Sequence, residues 1–112
     1  MNSTYISLHE EIARFEPGWS PSDEVAQMTI YDVGRWLEER GLEHLTPRFR
    51  EEKIDGEVFL CLTRADLKEM QLPICDRIKF FNRALKYLHP GYHSDGFRFN
   101  LPKPKKRSRE SV

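Results

Sequence analysis

A repeat of apolar residues between positions 74 and 88 gives the clearest indication of the fold. Five such residues follow one another at spacings of four, three, four and three: Ile74, Ile78, Phe81, Leu85 and Leu88. These spacings place the side chains on one stripe of an α-helix, and Pro90 followed by Gly91 is expected to end that helix. A helix with one apolar stripe has to bury it against other elements, so the sequence predicts a helical bundle.

Four shorter helices are predicted upstream from their start and stop signals. The first covers residues 30–40, because Thr29 and Asp32 match a capping box and Gly41 suits the left-handed residue that ends a helix. Three more follow it by the same kind of signal. They are a helix over residues 46–53 capped by Thr46 ahead of a proline, a third capped by Asp55, and a fourth that starts at Thr63 with Asp66 in capping-box spacing.

The chain divides into three parts by composition. Residues 28–90 hold the five predicted helices, residues 1–27 precede them, and residues 91–112 form a tail that is basic and interrupted by prolines. The tail has too few apolar residues to bury and is predicted to be disordered. The predicted fold class is therefore all-α, a compact five-helix bundle with an N-terminal extension and a basic C-terminal tail.

The N-terminal extension has one amphipathic stretch. Its apolar residues stand four and three apart on one helical face: Leu8, Ile12 and Phe15. This stretch is predicted as a short helix, and residues 19–24 as a linker. Phe80 leaves the main stripe of the fifth helix and makes a second strip with Ala84 and Tyr87. That strip is expected to pack against the extension or against Trp19, or otherwise to form an exposed apolar surface that favours association.

Length and composition exclude several classes of protein. With 112 residues, 38% of them hydrophobic, the chain fits one domain and leaves too small an interior for a cofactor pocket. No apolar run approaches the roughly 18 residues of a membrane span, and the acidic start does not match a secretory signal, so we expect an intracellular protein. Cys61 and Cys75 form no CxxC pair and are predicted as reduced core or near-core thiols.

No catalytic or metal-binding constellation is predicted. Asp55 and Asp66 stand at cap positions, and Cys75 has no His or Lys placed to activate it as a reactive thiol. His89 and His93 have a metal-ligand spacing, but the Pro-Gly pair between them breaks the helix that would align them. We therefore expect a protein that is not an enzyme and that uses no cofactor.

Residues 28–88 resemble a sterile alpha motif (SAM) domain, a bundle of five helices. The resemblance rests on these motifs, in this order: Tyr31-Asp32-Val33, Trp36-Leu37, Gly41-Leu42, Phe49, Ile54-Asp55-Gly56, Phe59-Leu60, Leu62-Thr63, Asp66-Leu67 and Arg77-Ile78-Lys79. The spacing from Met70 to Arg77 is closer to Polycomb-group SAM domains than to those of many Eph receptors. One departure is Cys75, where many members have glycine at the start of the last helix.

The resemblance implies two partner-binding surfaces of opposite charge. The end-helix surface would consist of Ile74, Cys75, Arg77, Lys79 and Arg83. The mid-loop surface would consist of Glu52, Asp55, Glu57, Asp66 and Glu69. SAM domains self-polymerise, pair with other SAM domains or stay monomeric, so the expected partner is another SAM domain, the same or a different one, docked head to tail.

Two other interpretations stay open. Smaug-type SAM domains bind an RNA hairpin, and a basic last helix with a basic tail would suit nucleic acid. Against this interpretation, residues 28–90 carry 11 basic and 11 acidic side chains and so have no net charge. Alternatively the chain is a fragment of a larger regulator, whose same surfaces recruit a kinase or a transcription complex.

The tail suggests a location for the protein. Residues 91–112 have 6 basic and 2 acidic side chains, and the basic ones include a short run of the kind that nuclear import receptors bind: Lys103, Lys105, Lys106 and Arg107. Nuclear localisation is therefore favoured over a cytoplasmic one, with a merely solubilising tail as the alternative. A C-terminal Val112 would also suit a PDZ groove.

Overall fold

The computed structural model describes residues 3–92, in which helices are joined by turns and loops and no strand is present. Its elements are α1 (Leu8–Phe15), α2 (Asp23–Ala26), α3 (Ile30–Glu39), α4 (Thr46–Glu51), α5 (Gly56–Cys61), α6 (Arg64–Glu69) and α7 (Ile74–Leu88), with 3₁₀ turns at Ser3–Tyr5 and Glu43–Leu45. The predicted all-α class is confirmed, and α3 to α7 correspond to the five predicted helices. The tail predicted as disordered begins at residue 91, but Tyr92 is buried in the core, so that prediction is corrected at its first two residues, and residues 93–112 lie outside the described part of the chain.

Local capping signals account for most helix starts. The Thr29 hydroxyl accepts the Asp32 backbone N–H at 3.1 Å, and the Asp32 carboxylate accepts the Thr29 N–H at 2.9 Å. Thr63 and Asp66 repeat this reciprocal pair at the start of α6. Gly41 has a φ of 75°, the left-handed conformation predicted for the end of α3. These groups interact within three residues, which is why the sequence predicts them correctly.

The capping role predicted for Thr46 is wrong. The turn Glu43–Leu45 leads straight into α4, so Thr46 is already helical, with φ −56° and ψ −46°, and Leu45 is the cap residue without a side-chain hydrogen bond. The Thr46 hydroxyl is buried and has no hydrogen-bond partner. A residue inside the first turn cannot reach the free N–H groups that a true cap satisfies.

The predicted linker over residues 19–24 is also corrected. Ser22 accepts the Val25 N–H and starts α2, so Asp23 and Glu24 are helical. Val25 is buried, and Trp19 is half-buried against the core. The segment before α3 therefore packs on the bundle instead of only joining two parts.

The bounds predicted for α7 are confirmed, but its buried face is rotated from the predicted stripe. The buried residues are Phe80, Phe81, Ala84 and Leu85. Ile74 and Ile78 are 65% and 54% exposed. Both stripes have helical spacing, so packing by neighbouring elements, and not periodicity, decides which one is buried.

Phe80 belongs to the centre of the core and not to a strip reserved for the extension. Its ring centroid lies 5.8 Å from Trp36, 5.2 Å from Phe49 and 5.7 Å from Phe59. The distances are those of edge-to-face and tilted aromatic pairs, which add to the stabilisation from buried area.

The N-terminal extension completes the core on another side of the bundle. Leu8 and Ile12 have no exposed surface, and α1 packs on α5 and α7. The Leu8 N–H donates to the Leu62 carbonyl oxygen at 3.0 Å, beside a backbone bridge between Ser7 and Thr63. The apolar face predicted for the first helix is thus buried at Leu8 and Ile12, while Phe15 is exposed.

Candidate protein-interaction surfaces

One side of α7 is exposed along its length. The exposed residues recur with helical spacing and are called the α7 face below: Ile74, Cys75, Ile78, Lys79, Asn82, Arg83 and Lys86. Its first two turns present two isoleucines, and the later turns are basic. The face therefore combines an apolar patch with positive charge, a composition suited to an acidic partner that carries its own apolar group.

Four of the five residues predicted for the end-helix surface lie on the α7 face, and Arg77 does not. Arg77 is half-buried, because it stands three and four residues from Phe80 and Phe81 along the helix and so shares their side of α7. Its Nε atom is buried without a hydrogen-bond partner. Nearby, the Asp76 carboxylate lies 2.9 Å from Nε2 of His44 and is mostly buried.

The five acidic residues of the mid-loop surface differ in how free their carboxylates are. Asp55 accepts the Val58 N–H at 3.1 Å, and Asp66 accepts the Thr63 N–H at 3.0 Å, so both act as caps and are half-buried. Glu52 forms an ion pair of 3.3 Å with Arg48. Glu57 and Glu69 are exposed and form no ion pair within residues 3–92, so they are the carboxylates most available to a partner.

Val58 is a residue of this region that the sequence interpretation missed. The exposed side of α5 consists of Glu57, Val58 and Cys61, while Phe59 and Leu60 point into the core. Val58 is 41% exposed and stands next to Glu57. A helical wheel over these six residues separates the two sides, so the signal was present in the sequence.

Both cysteines are exposed, which corrects their prediction as core or near-core thiols. Cys61 lies on the solvent side of α5, and Cys75 lies on the α7 face directly after Ile74 in the chain. A cysteine's preference for burial does not decide its position when its helix presents that side to solvent. Neither thiol forms a disulfide.

A shallow groove of about 290 Å³ lies between α2, α3 and the end of α7. The Arg40 guanidinium covers its aromatic wall, 4.6 Å from the Trp36 ring and 4.8 Å from the Tyr87 ring. Residues of both charges line the rest: Glu24, Asp32, Arg35 and Glu39. The protein's own arginine therefore occupies the position over the rings that a cationic ligand would take.

Within the described part of the chain, no cluster of three metal-ligating side chains is present. His89 is hydrogen-bonded to Glu16, and His93, four residues further along the chain, lies outside the described residues. Over residues 3–92 no helix has the length and apolar character needed to cross a membrane.

Comparison with known proteins supports the resemblance seen in the sequence. The family model for the SAM domain (sterile alpha motif) matches residues 26–79. The human protein lethal(3)malignant brain tumor-like protein 4 is 31% identical over 70 residues, and the mouse protein of that name is 32% identical over 68 residues. These regions cover 61% and 59% of this chain but only 11% of each relative. No solved structure matches the chain.

Proposed function

Residues 26–79 form a SAM domain, a module that generally mediates protein interaction, and we propose that this chain binds a second SAM domain, first of all another copy of itself. In this proposal the α7 face of one molecule docks on the mid-loop surface of the next. The contact is non-catalytic and joins two different surfaces, so each bound molecule keeps one surface free and the assembly can grow.

The observation that carries the proposal is that each surface pairs exposed apolar groups with charge of one sign. On α7, Ile74 and Ile78 stand beside Lys79, and on α5, Val58 stands beside Glu57. Apolar side chains at the centre of an interface supply most of the affinity, whereas opposite charges at the rim speed and orient the encounter. An isoleucine pair exposed to this extent on a folded helix is otherwise unexplained by packing within the molecule.

Sedimentation velocity on two variants tests this arrangement. Ile78→Asp disrupts the α7 face, and Val58→Asp disrupts the mid-loop side, and because both positions are exposed we expect each variant to fold. We expect the wild-type protein to form species that grow with concentration, each variant alone to be monomeric, and an equimolar mixture to form a dimer that grows no further. The mixture can pair only once, because each variant retains one intact surface.

Tyr31→Asp is the matched control, since Tyr31 is 68% exposed on α3 and belongs to neither surface. This variant should assemble as the wild type does. A wild-type protein that stays monomeric at all concentrations would overturn self-association, and variants that assemble like the control would show that these surfaces are the wrong ones.

Nucleic-acid binding is the second candidate, and the basic turns of the α7 face are the observation in its favour. Lys79, Arg83 and Lys86 are exposed on one side of the helix. Three charges give few phosphate contacts, and the isoleucines beside them have no role on a phosphate backbone. A gel-shift series with hairpin RNA and duplex DNA separates the two functions: retention at low salt that disappears as salt rises would favour nucleic acid.

We also propose that the basic run in the tail directs the protein to the nucleus by binding an import receptor. The support for this is the composition of residues 103–107, which lie outside the described part of the chain.

A further inference from the structure

The 3₁₀ turn Ser3–Tyr5 is held against α6, the helix that carries two acidic residues of the mid-loop surface. The backbone bridge between Ser7 and Thr63 and the hydrogen bond from the Leu8 N–H to the Leu62 carbonyl fix the chain immediately after this turn. The turn therefore has a defined position at the edge of the mid-loop surface.

Tyr5 is exposed in a way that this anchoring does not require. It is 71% exposed, more than any other large apolar residue of the described chain. Tyrosine offers a rigid ring and a hydroxyl at low cost in side-chain entropy, and it is enriched at the centres of protein interfaces. A tyrosine presented from an anchored turn, next to the surface proposed above for partner binding, is placed to extend that surface.

The mid-loop surface has less exposed apolar area than the α7 face that it is proposed to bind. The α7 face presents two exposed isoleucines, whereas α5 offers Val58 as a single exposed aliphatic side chain. An isoleucine that docked against carboxylates would make few apolar contacts, so its burial would add little to the affinity. The ring of Tyr5 supplies the missing apolar contact from the side of α6.

We propose that Tyr5 completes the mid-loop surface and contacts the isoleucines of the α7 face in a second copy of this chain. The inference rests on the proposed function and adds to it a contact from outside residues 26–79, the segment that matches the SAM family. The N-terminal extension would thereby make the docking surface of this chain wider than that of the matched segment alone.

The test uses the two variants that can pair only once. Ile78→Asp offers only its mid-loop surface, and Val58→Asp offers only its α7 face, so isothermal titration of one into the other measures a single contact. Adding Tyr5→Ala to the Ile78→Asp protein should weaken this binding about tenfold, the loss typical of an aromatic interface residue. Adding Tyr5→Ala to the Val58→Asp protein should leave the affinity unchanged, because there Tyr5 lies on the unused side.

Further variants make the outcomes distinct. Tyr5→Phe should retain most of the affinity because it keeps the ring, and Tyr31→Ala should have no effect in either protein. If Tyr5→Ala changes nothing while the pair still forms, the inference about Tyr5 is wrong and the proposed function stands. An equal loss in both proteins would also overturn the inference, since it would indicate an effect on folding. If the pair does not form at all, the proposed function fails and this inference with it.

Discussion

Glu11 on α1 and Arg64 at the start of α6 form an ion pair of 2.8 Å. The second oxygen of the Glu11 carboxylate accepts the Tyr92 hydroxyl at 2.6 Å, and the Arg64 guanidinium lies 4.1 Å over the ring of Phe81. One carboxylate thus joins the N-terminal helix to α6 and to the last described residue. The extension is held by polar contacts as well as by its buried apolar face.

The Glu11→Gln variant should weaken the contacts of this side chain with Arg64 and Tyr92 without creating a cavity. We expect a loss of about 1 kcal/mol in the free energy of unfolding, because the pair is partly exposed and surface ion pairs contribute little, while the Tyr92 hydrogen bond loses its charged acceptor. Faster amide hydrogen exchange at Leu8 should accompany the loss. Exchange at Leu8 that matches the wild type would contradict a tethering role for Glu11.

Ile12→Ala tests whether the extension belongs to the folding unit. Ile12 is fully buried, so its truncation should cost about 2 to 5 kcal/mol in urea denaturation, as large-to-small core substitutions do. The control is Ile78→Ala, the same change at an exposed position, with an expected effect within about 0.5 kcal/mol. Such a difference would support a proposed folding unit of residues 3–92 in place of the predicted domain 28–90. Equal effects of the two substitutions would indicate that the extension is only loosely attached to the bundle.

The sequence predicts features that depend on neighbours three or four residues away. The start of α3 at Thr29, the start of α6 at Thr63 and the full extent of α7 follow from capping groups and apolar spacing. Burial depends instead on which elements pack together from distant parts of the chain. This is why periodicity alone did not predict the exposure of Ile74 or the central position of Phe80.

The candidate surfaces show the same division. The opposite charges of the two regions can be counted in the sequence, but the tertiary structure decides which side chains are free. Arg77 turns toward the buried side of α7, and Arg48 forms an ion pair with Glu52. Val58 becomes a candidate contact only once Phe59 and Leu60 are seen to take the inner side of α5.

Gly56→Ala should destabilise the domain by about 2 to 3 kcal/mol, measured by urea denaturation. The Gly56 N–H donates to the Met28 carbonyl at 2.8 Å, and a methyl group at this position would overlap the Val25 carbonyl oxygen. Because the obstacle is backbone, relief requires α2 to move away from α5. Gly91→Ala is the control, since its nearest neighbour is the His89 side chain, and it should cost under about 1 kcal/mol. Equal costs would indicate that α2 moves easily.

The Asp32 carboxylate should make the stability of the folded domain depend on pH. The Thr29 backbone N–H, with a smaller contribution from the Thr29 hydroxyl, holds the pKa of Asp32 below its usual value. A carboxyl with a lowered pKa in the folded state stabilises the fold above its unfolded pKa of about 3.9, and this contribution disappears as the pH falls through the folded value. Asp32→Asn should therefore lower the melting temperature at neutral pH and narrow the difference from wild type below about pH 4. A difference in melting temperature between variant and wild type that stays constant down to the lowest pH would contradict this.

The basic run in the tail should be necessary for nuclear import. Replacing Lys105, Lys106 and Arg107 with alanine in a fusion too large to diffuse through the nuclear pore should move the fusion from the nucleus to the cytoplasm, as imaged in living cells. The reason is that an import receptor binds a short basic run, and these residues form its centre, between Lys103 and Arg109. The matched control replaces Lys79, Arg83 and Lys86 of the α7 face, which removes the same charge from the folded domain and should leave the fusion nuclear. If the tail variant keeps the wild-type distribution, the import proposal is wrong, and if both variants leave the nucleus, retention depends on total charge and not on the run in the tail.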